Sequence, residues 1–157
     1  LLNQINETRK KPLFIKLPPY GFNAERDSFE QGNVLELARV CKDLGIDGLT
    51  IANTWPVKDK RLASGTGGLS GKPIFSRTLS MVTEVRSEVG PGMAINACGG
   101  ISTGKDVWDA LIAGATTVQL LTSLIYRGPG LIKQMIEELS SIFDTEHTNS
   151  ARSVKKS

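Results

Sequence analysis

Residues 93–121 read MAINACGGISTGKDVWDALIAGATTVQLL, and their pattern decides the fold. A short apolar run, Met93 to Ala97, ends at a glycine pair. Ser102 and Thr103 then stand where a helix needs a cap. From Lys105 to Ala113 the apolar residues Val107, Trp108, Leu111 and Ile112 recur at helical spacing. Gly114 leads into a second apolar run, Thr117 to Leu121. Strand, helix and strand in roughly 30 residues is the signature of a parallel crossover unit.

The same alternation extends outward on both sides. Leu13 to Leu17 forms a strand stopped by Pro18 and Pro19, which cannot donate to a sheet ladder. Asn33 to Leu44 is a helix with Val34, Leu35, Leu37, Ala38, Cys41 and Leu44 on one side and Gly45 as its stop. Gly48 to Ala52 is the next strand. Ser76 to Val89 is a helix facing inward through Leu79, Val82, Val85 and Val89. Between them Asn53 to Pro73 is glycine-rich and aperiodic, long enough to suggest a functional loop. After the fourth strand come a short Leu124–Arg127 segment and a helix from Gly130 to Phe143, then a polar tail over 144–157 expected to be loose. The opening LLNQINETRKKP resembles a helix finishing before a strand.

Four βα units therefore fill the chain. A closed parallel barrel needs eight strands and about 250 residues. The fold expected is α/β, the C-terminal half (strands five to eight) of a (β/α)8 barrel over residues 1–143, in a chain that starts mid-domain. A complete open α/β sheet is the competing architecture.

Composition narrows the function. The 157 residues carry a net charge of +3 with 39% hydrophobic residues, ordinary for one globular domain. Basic residues are dispersed apart from Arg152, Lys155 and Lys156, which argues against a nucleic-acid surface. No apolar run nears the roughly 20 residues of a membrane span, and no charged-then-apolar leader opens the sequence. Cys41 and Cys98 lack ligand or redox spacing, so no metal is expected. Cys98 is expected to be a small buried thiol, and the single histidine, His147, surface decoration.

Chemistry in a parallel barrel concentrates at the C-terminal ends of its strands. Lys16 lies in the first strand one position before its Leu17 end, and an ammonium inside an apolar strand must reach water or pair with an anion. Asn53 and Thr54 follow the second, offering groups that donate and accept toward a planar heterocycle or simply begin a turn. Trp55 covers a ligand or packs beneath the long loop. The stretch GTGGLSGKP (65–73) permits close backbone approach but lacks the spacing of a Walker loop. Gly99 and Gly100 expose successive amides after strand three, and Leu121, Thr122 and Ser123 follow strand four. Together these resemble the phosphate site found after barrel strands seven and eight.

In order, FIKL, IANT, TGGLSGKP, CGGISTG, VQLLTSL and RGPGLI resemble the C-terminal half of the dihydroorotate dehydrogenase family over roughly Lys11 to Leu139. The resemblance implies an FMN-containing (β/α)8 barrel that oxidises dihydroorotate to orotate in pyrimidine biosynthesis: a base takes the C5 proton while hydride passes from C6 to flavin N5. It implies that Lys16 stabilises negative charge at the flavin N1 and O2 edge, that Asn53 and Thr54 bind the pyrimidine, and that Ala52 stands where many members place a flavin-contacting threonine. Gly71, Gly99 and Gly100 approach FMN, and the Leu121 and Thr122 amides serve its phosphate. Leu121 occupies a place where tyrosine is frequent. The family's proton-abstracting serine or cysteine belongs to an N-terminal half that the chain lacks. GGLSGKP and RGPGLI resemble the quinone-linked class 2 enzymes, KLPPY the soluble class 1 enzymes, so the acceptor is a quinone or another oxidant. Localisation follows as cytoplasmic, or peripheral to a membrane if the missing half carries a membrane-associating segment. Two alternatives accompany this expectation: another FMN-dependent barrel oxidoreductase, and a non-catalytic half-barrel that folds only with an N-terminal half or a second copy.

Overall fold

The computed structural model describes residues 2–23, 28–30 and 32–154, with side chains described for 2–20 and 33–146. The elements are α1 (Leu2–Thr8), β1 (Phe14–Lys16), β2 (Gly21–Asn23), β3 (Ser28–Glu30), α2 (Gly32–Asp43), β4 (Gly48–Ile51), β5 (Trp55–Lys58) and β6 (Thr66–Leu69). A 3-10 turn (Lys72–Ile74) leads into α3 (Phe75–Val89), followed by β7 (Ala94–Cys98), α4 (Gly104–Ile112), β8 (Thr117–Gln119), α5 (Thr122–Arg127) and α6 (Gly130–Val154). Strands β1, β4, β7 and β8 form one four-stranded sheet in that order, every neighbouring pair parallel. Each strand lies beside the one before it in the series, the order that consecutive units of a barrel require.

The pairing register sorts side chains onto two faces. Ile15, Leu49 and Ile95 form one row, and Ile51, Ala97 and Val118 the next row on the same face. Leu49, Ile51, Ile95 and Ala97 have no exposed surface, and neither do Val82 and Val85 of α3. This is the helix-covered core. Burying each larger side chain there contributes on the order of 1.5–3 kcal/mol. The opposite face carries Phe14, Gly48 and Ala94, then Lys16, Thr50, Asn96 and Thr117 in register. Barrel interiors are ordinarily filled with branched apolar side chains. Here the row level with Lys16 is polar: Thr117 donates to Asn96 Oδ1 at 3.1 Å, and Asn96 Nδ2 donates to Thr50 Oγ1 at 3.4 Å.

Several expectations are corrected. The Asn53–Pro73 stretch is not structureless but contains the antiparallel β5–β6 hairpin, with Pro56 opposite Gly68. Glycines in β6 conceal its strand character because they remove the alternating side chains by which strands are recognised. The β2–β3 hairpin, which the sequence pattern did not suggest, fills the connection before α2. Leu37 is 44% exposed because it lies at the edge of the α2 stripe. Ile112 is 70% exposed, since at a 3.6-residue period it sits about 140° around the helix from Val107. Helix α6 does not stop at Phe143 but continues to Val154, while residues 155–157 of the tail lie outside the described residues.

Candidate functional site

Four strand ends and the loops after them line a cleft of about 190 Å³ that is open to solvent, smaller than the roughly 300–1,000 Å³ of a complete small-molecule site. Its walls include all the residues singled out from the sequence: Lys16, Ala52, Asn53, Thr54, Gly71, Gly99, Gly100, Leu121 and Thr122. They come from segments far apart in the chain. The parallel register aligns the strand ends, so residues following different strands meet at one rim.

Lys16 is the last residue of β1, exposed to the cleft, and no carboxylate pairs with it among the described residues. After β4, Ala52 is buried while Asn53 and Thr54 are exposed. Asn53 Oδ1 accepts a hydrogen bond from the Thr54 N–H at 2.8 Å, so it organises the turn, and the residue lines the cleft. Trp55 opens strand β5 of the hairpin and is buried at 8% exposure, with the Arg77 guanidinium 4.0 Å from its ring centroid.

After β7 the chain turns at Gly99 and Gly100, with φ of +143° and +77°. A Cβ at Gly100 would lie 2.6 Å from the backbone nitrogen of Phe75 and 2.7 Å from its Cα. Glycine is therefore demanded by the first turn of α3 packing on this loop, a reason distinct from clearance for a phosphate. The N–H groups of Gly99, Gly100, Leu121 and Thr122 make no hydrogen bond among the described residues. Ser123 Oγ donates to the Ile101 carbonyl at 2.7 Å, which ties the two turns together. Thr122 Oγ1 donates to Ser70 Oγ at 3.0 Å across the cleft.

Behind the glycine turn lies a carboxylate with partners on both of its oxygens. Asp106 Oδ2 accepts from the N–H and hydroxyl of Ser102, both at 2.9 Å, and from the Thr103 N–H at 3.1 Å; Thr103 Oγ1 in turn accepts from the Asp106 N–H. This is a reciprocal capping box at the start of α4. Lys72 pairs with its other oxygen at 2.5 Å. Burial works against ionisation of Asp106, but the hydrogen bonds from Lys72 and Ser102 outweigh it and hold its pKa below the usual carboxylate value.

Ser70 and Ser123, from the loop and the turn noted in the sequence, also line the cleft, and so does Gln119, which was not anticipated. The Thr-x-x-Asp spacing of 103–106 could have flagged the capping box, but nothing local in the sequence pairs Asp106 with Lys72. Cys98 is half-buried at the cleft, not fully buried as expected; Cys41 is the buried thiol, its pKa pushed up by burial. The His147 side chain lies outside the described residues. No cluster able to hold a metal occurs among the described residues, and no described helix is long and apolar enough to cross a membrane.

Comparison with known proteins adds the following. The family model described as Dihydroorotate dehydrogenase matches residues 1–143. A dihydroorotate dehydrogenase (quinone) of Rhizobium johnstonii is 34% identical over 151 residues, covering 94% of this chain and 40% of the relative. The mitochondrial dihydroorotate dehydrogenase (quinone) of Arabidopsis thaliana is 37% identical over 133 residues, covering 82% of this chain and 27% of the relative. Among solved structures, DHODH from Eimeria tenella in complex with ferulenol superposes with a TM-score of 0.72 at 32% identity, covering 89% of this chain and 36% of that one. Its ligand-free form gives 0.71 at 33% identity, covering 87% and 37%. The chain thus spans at most about 40% of the length of these relatives.

Proposed function

The chain belongs to the dihydroorotate dehydrogenase family, and from that premise we propose that its cleft is one side of an FMN and pyrimidine site used to oxidise dihydroorotate to orotate, with a quinone as electron acceptor. The observation that carries the proposal is the convergence on one rim of a lysine without an acidic partner, an asparagine amide and four N–H groups without acceptors. Donors unpaired by the protein suit an anionic, carbonyl-rich ligand, because leaving them without an acceptor is costly. Relatives named for a quinone favour that acceptor.

FMN, when bound, supplies the two-electron acceptor for the substrate's C6 hydride. The residues of this chain bind and orient. The N–H groups of Gly99, Gly100, Leu121 and Thr122 are the donors for the phosphate. Ala52 and Gly71 allow close approach from either side. Lys16, exposed at the cleft, would hold a fixed positive charge beside the bound flavin, and such preorganised charge lowers the barrier where negative charge develops. Asn53 and Thr54 hold the substrate's amide edge. The base that takes the C5 proton comes from the part of the family's length that this chain does not span.

The test is visible absorbance and flavin-fluorescence quenching when the purified chain is titrated with FMN, followed by addition of orotate. Quenching, and a spectral change with orotate that Asn53→Ala abolishes, are the expected results. A folded chain indifferent to FMN removes the proposal. A spectral response to orotate that survives in Asn53→Ala favours a related FMN barrel acting on another compound.

A further inference from the structure

The segment running from β6 into α3 is fastened to the glycine side of the cleft at two points. Ser70 accepts the hydroxyl of Thr122, and Gly71 lies so near that a Cβ there would sit 3.1 Å from Thr122 Cγ2. One residue on, Lys72 reaches Asp106. The Asp106 side chain is 5% exposed and is held by Ser102 and Thr103, directly after the Gly99–Gly100 turn, so it is a fixed anchor. Lys72 is 57% exposed, and its ammonium also lies 4.6 Å from the centroid of the Phe75 ring, whose backbone packs on Gly100. The ion pair therefore joins the root of the β5–β6 hairpin to the turn whose free N–H groups face the cleft. Neither Lys72 nor Asp106 lines the cleft itself.

We propose that Lys72 and Asp106 form a latch that fixes the root of the β5–β6 hairpin against the glycine turn, making them positioning residues for the bound cofactor. The cofactor half of this rests on the flavin reading above; the latch does not. Because Lys72 is 57% exposed, the pair stabilises this arrangement only modestly. Lys72→Met keeps the apolar stem over Phe75 and removes only the charge. Lys72→Arg keeps the charge.

The experiment follows amide hydrogen exchange in the full chain. In Lys72→Met, exchange across residues 66–71 should rise roughly threefold to fivefold, the scale of a half-exposed ion pair. Exchange in α3 from Val82 to Val89 should not change. Asp106→Asn should loosen the same amides, the double variant should add nothing further because both changes break one contact, and Lys72→Arg should restore the wild-type rates. Release of FMN, read by recovery of its fluorescence, should accelerate by a similar factor in Lys72→Met. Unchanged exchange at 66–71 in Lys72→Met overturns the latch, whatever FMN does. Faster exchange at 66–71 in a chain that takes up no FMN leaves the latch standing and sinks the flavin reading instead. Faster exchange with unchanged FMN release shows that the hairpin root does not position the cofactor, and overturns that half of the proposal.

Discussion

At the scale of single residues, the cleft separates groups that act by charge from groups that act by shape. Lys16 is of the first kind, since no carboxylate among the described residues neutralises it. On the proposed flavin reading, Lys16→Ala in the full-length protein should slow flavin reduction by a factor on the order of 10², measured by stopped-flow bleaching of the flavin band. An unchanged rate would leave Lys16 as a rim lysine. Gly100 is of the second kind. Gly100→Val drives a side chain into the Phe75 backbone and imposes φ of +77° on a branched residue. It should destabilise the chain by at least about 1–3 kcal/mol, the usual cost of overpacking, seen as a lower urea midpoint without flavin present. Thr122→Val keeps its N–H and loses only the bond to Ser70, so its midpoint should move by less than about 1 kcal/mol. Equal effects of the two substitutions would contradict this account of the turn.

Elements are tied together by a few side chains that satisfy backbone groups of their neighbours. Arg86 near the end of α3 donates to the carbonyls of Gly90, Met93 and Gly114, the last through both Nε at 2.9 Å and Nη2 at 2.7 Å. It thereby secures the entries to β7 and β8. Arg86→Met should cost about 2–4 kcal/mol, because charge-assisted bonds are lost and carbonyls are left short of donors; a thermal shift equal to that of an exposed-site control would refute it. Asp106 gives a pH signature. Its pKa is lowered on folding, so its contribution is fully present above the ordinary carboxylate value near 3.9 and disappears as pH falls through the lowered one. Urea midpoints of wild type and Asp106→Asn should therefore differ most near neutrality and converge on acidification. A constant difference down to the acid limit would show that Asp106 acts through packing alone.

For the whole molecule, the decisive facts are a parallel sheet with β1 and β8 as its two edges and a match to at most about 40% of the relatives' length. Ile125 and Tyr126 of α5 and Ile136 of α6 are 72%, 85% and 62% exposed. A closed barrel pairs such edges and covers such faces. On the flavin and pyrimidine reading proposed above, the 157-residue chain by itself should show no turnover of dihydroorotate with a quinone analogue, since it spans at most about 40% of the relatives' length. Measurable turnover by the purified chain would overturn that reading.

The sequence by itself determined the alternation of strand and helix, the strands whose ends carry the cleft, and the identity of its glycine, lysine and asparagine residues. These are legible because strand and helix periods, caps and breakers are local, and because motifs such as TGGLSGKP and CGGISTG preserve spacing along the chain. Only the tertiary structure decided why Gly100 must be glycine, that TGGL (66–69) is a hairpin strand, that Leu37 and Ile112 face solvent, and that Lys72 meets Asp106. Each of these depends on a contact between segments distant in sequence: the α3 backbone against the β7 turn, β6 against β5, one helix face against its neighbours. Such contacts are fixed by the register of the parallel sheet, where shifting one strand by a residue would turn every side chain to the other face, and no window along the chain contains that register.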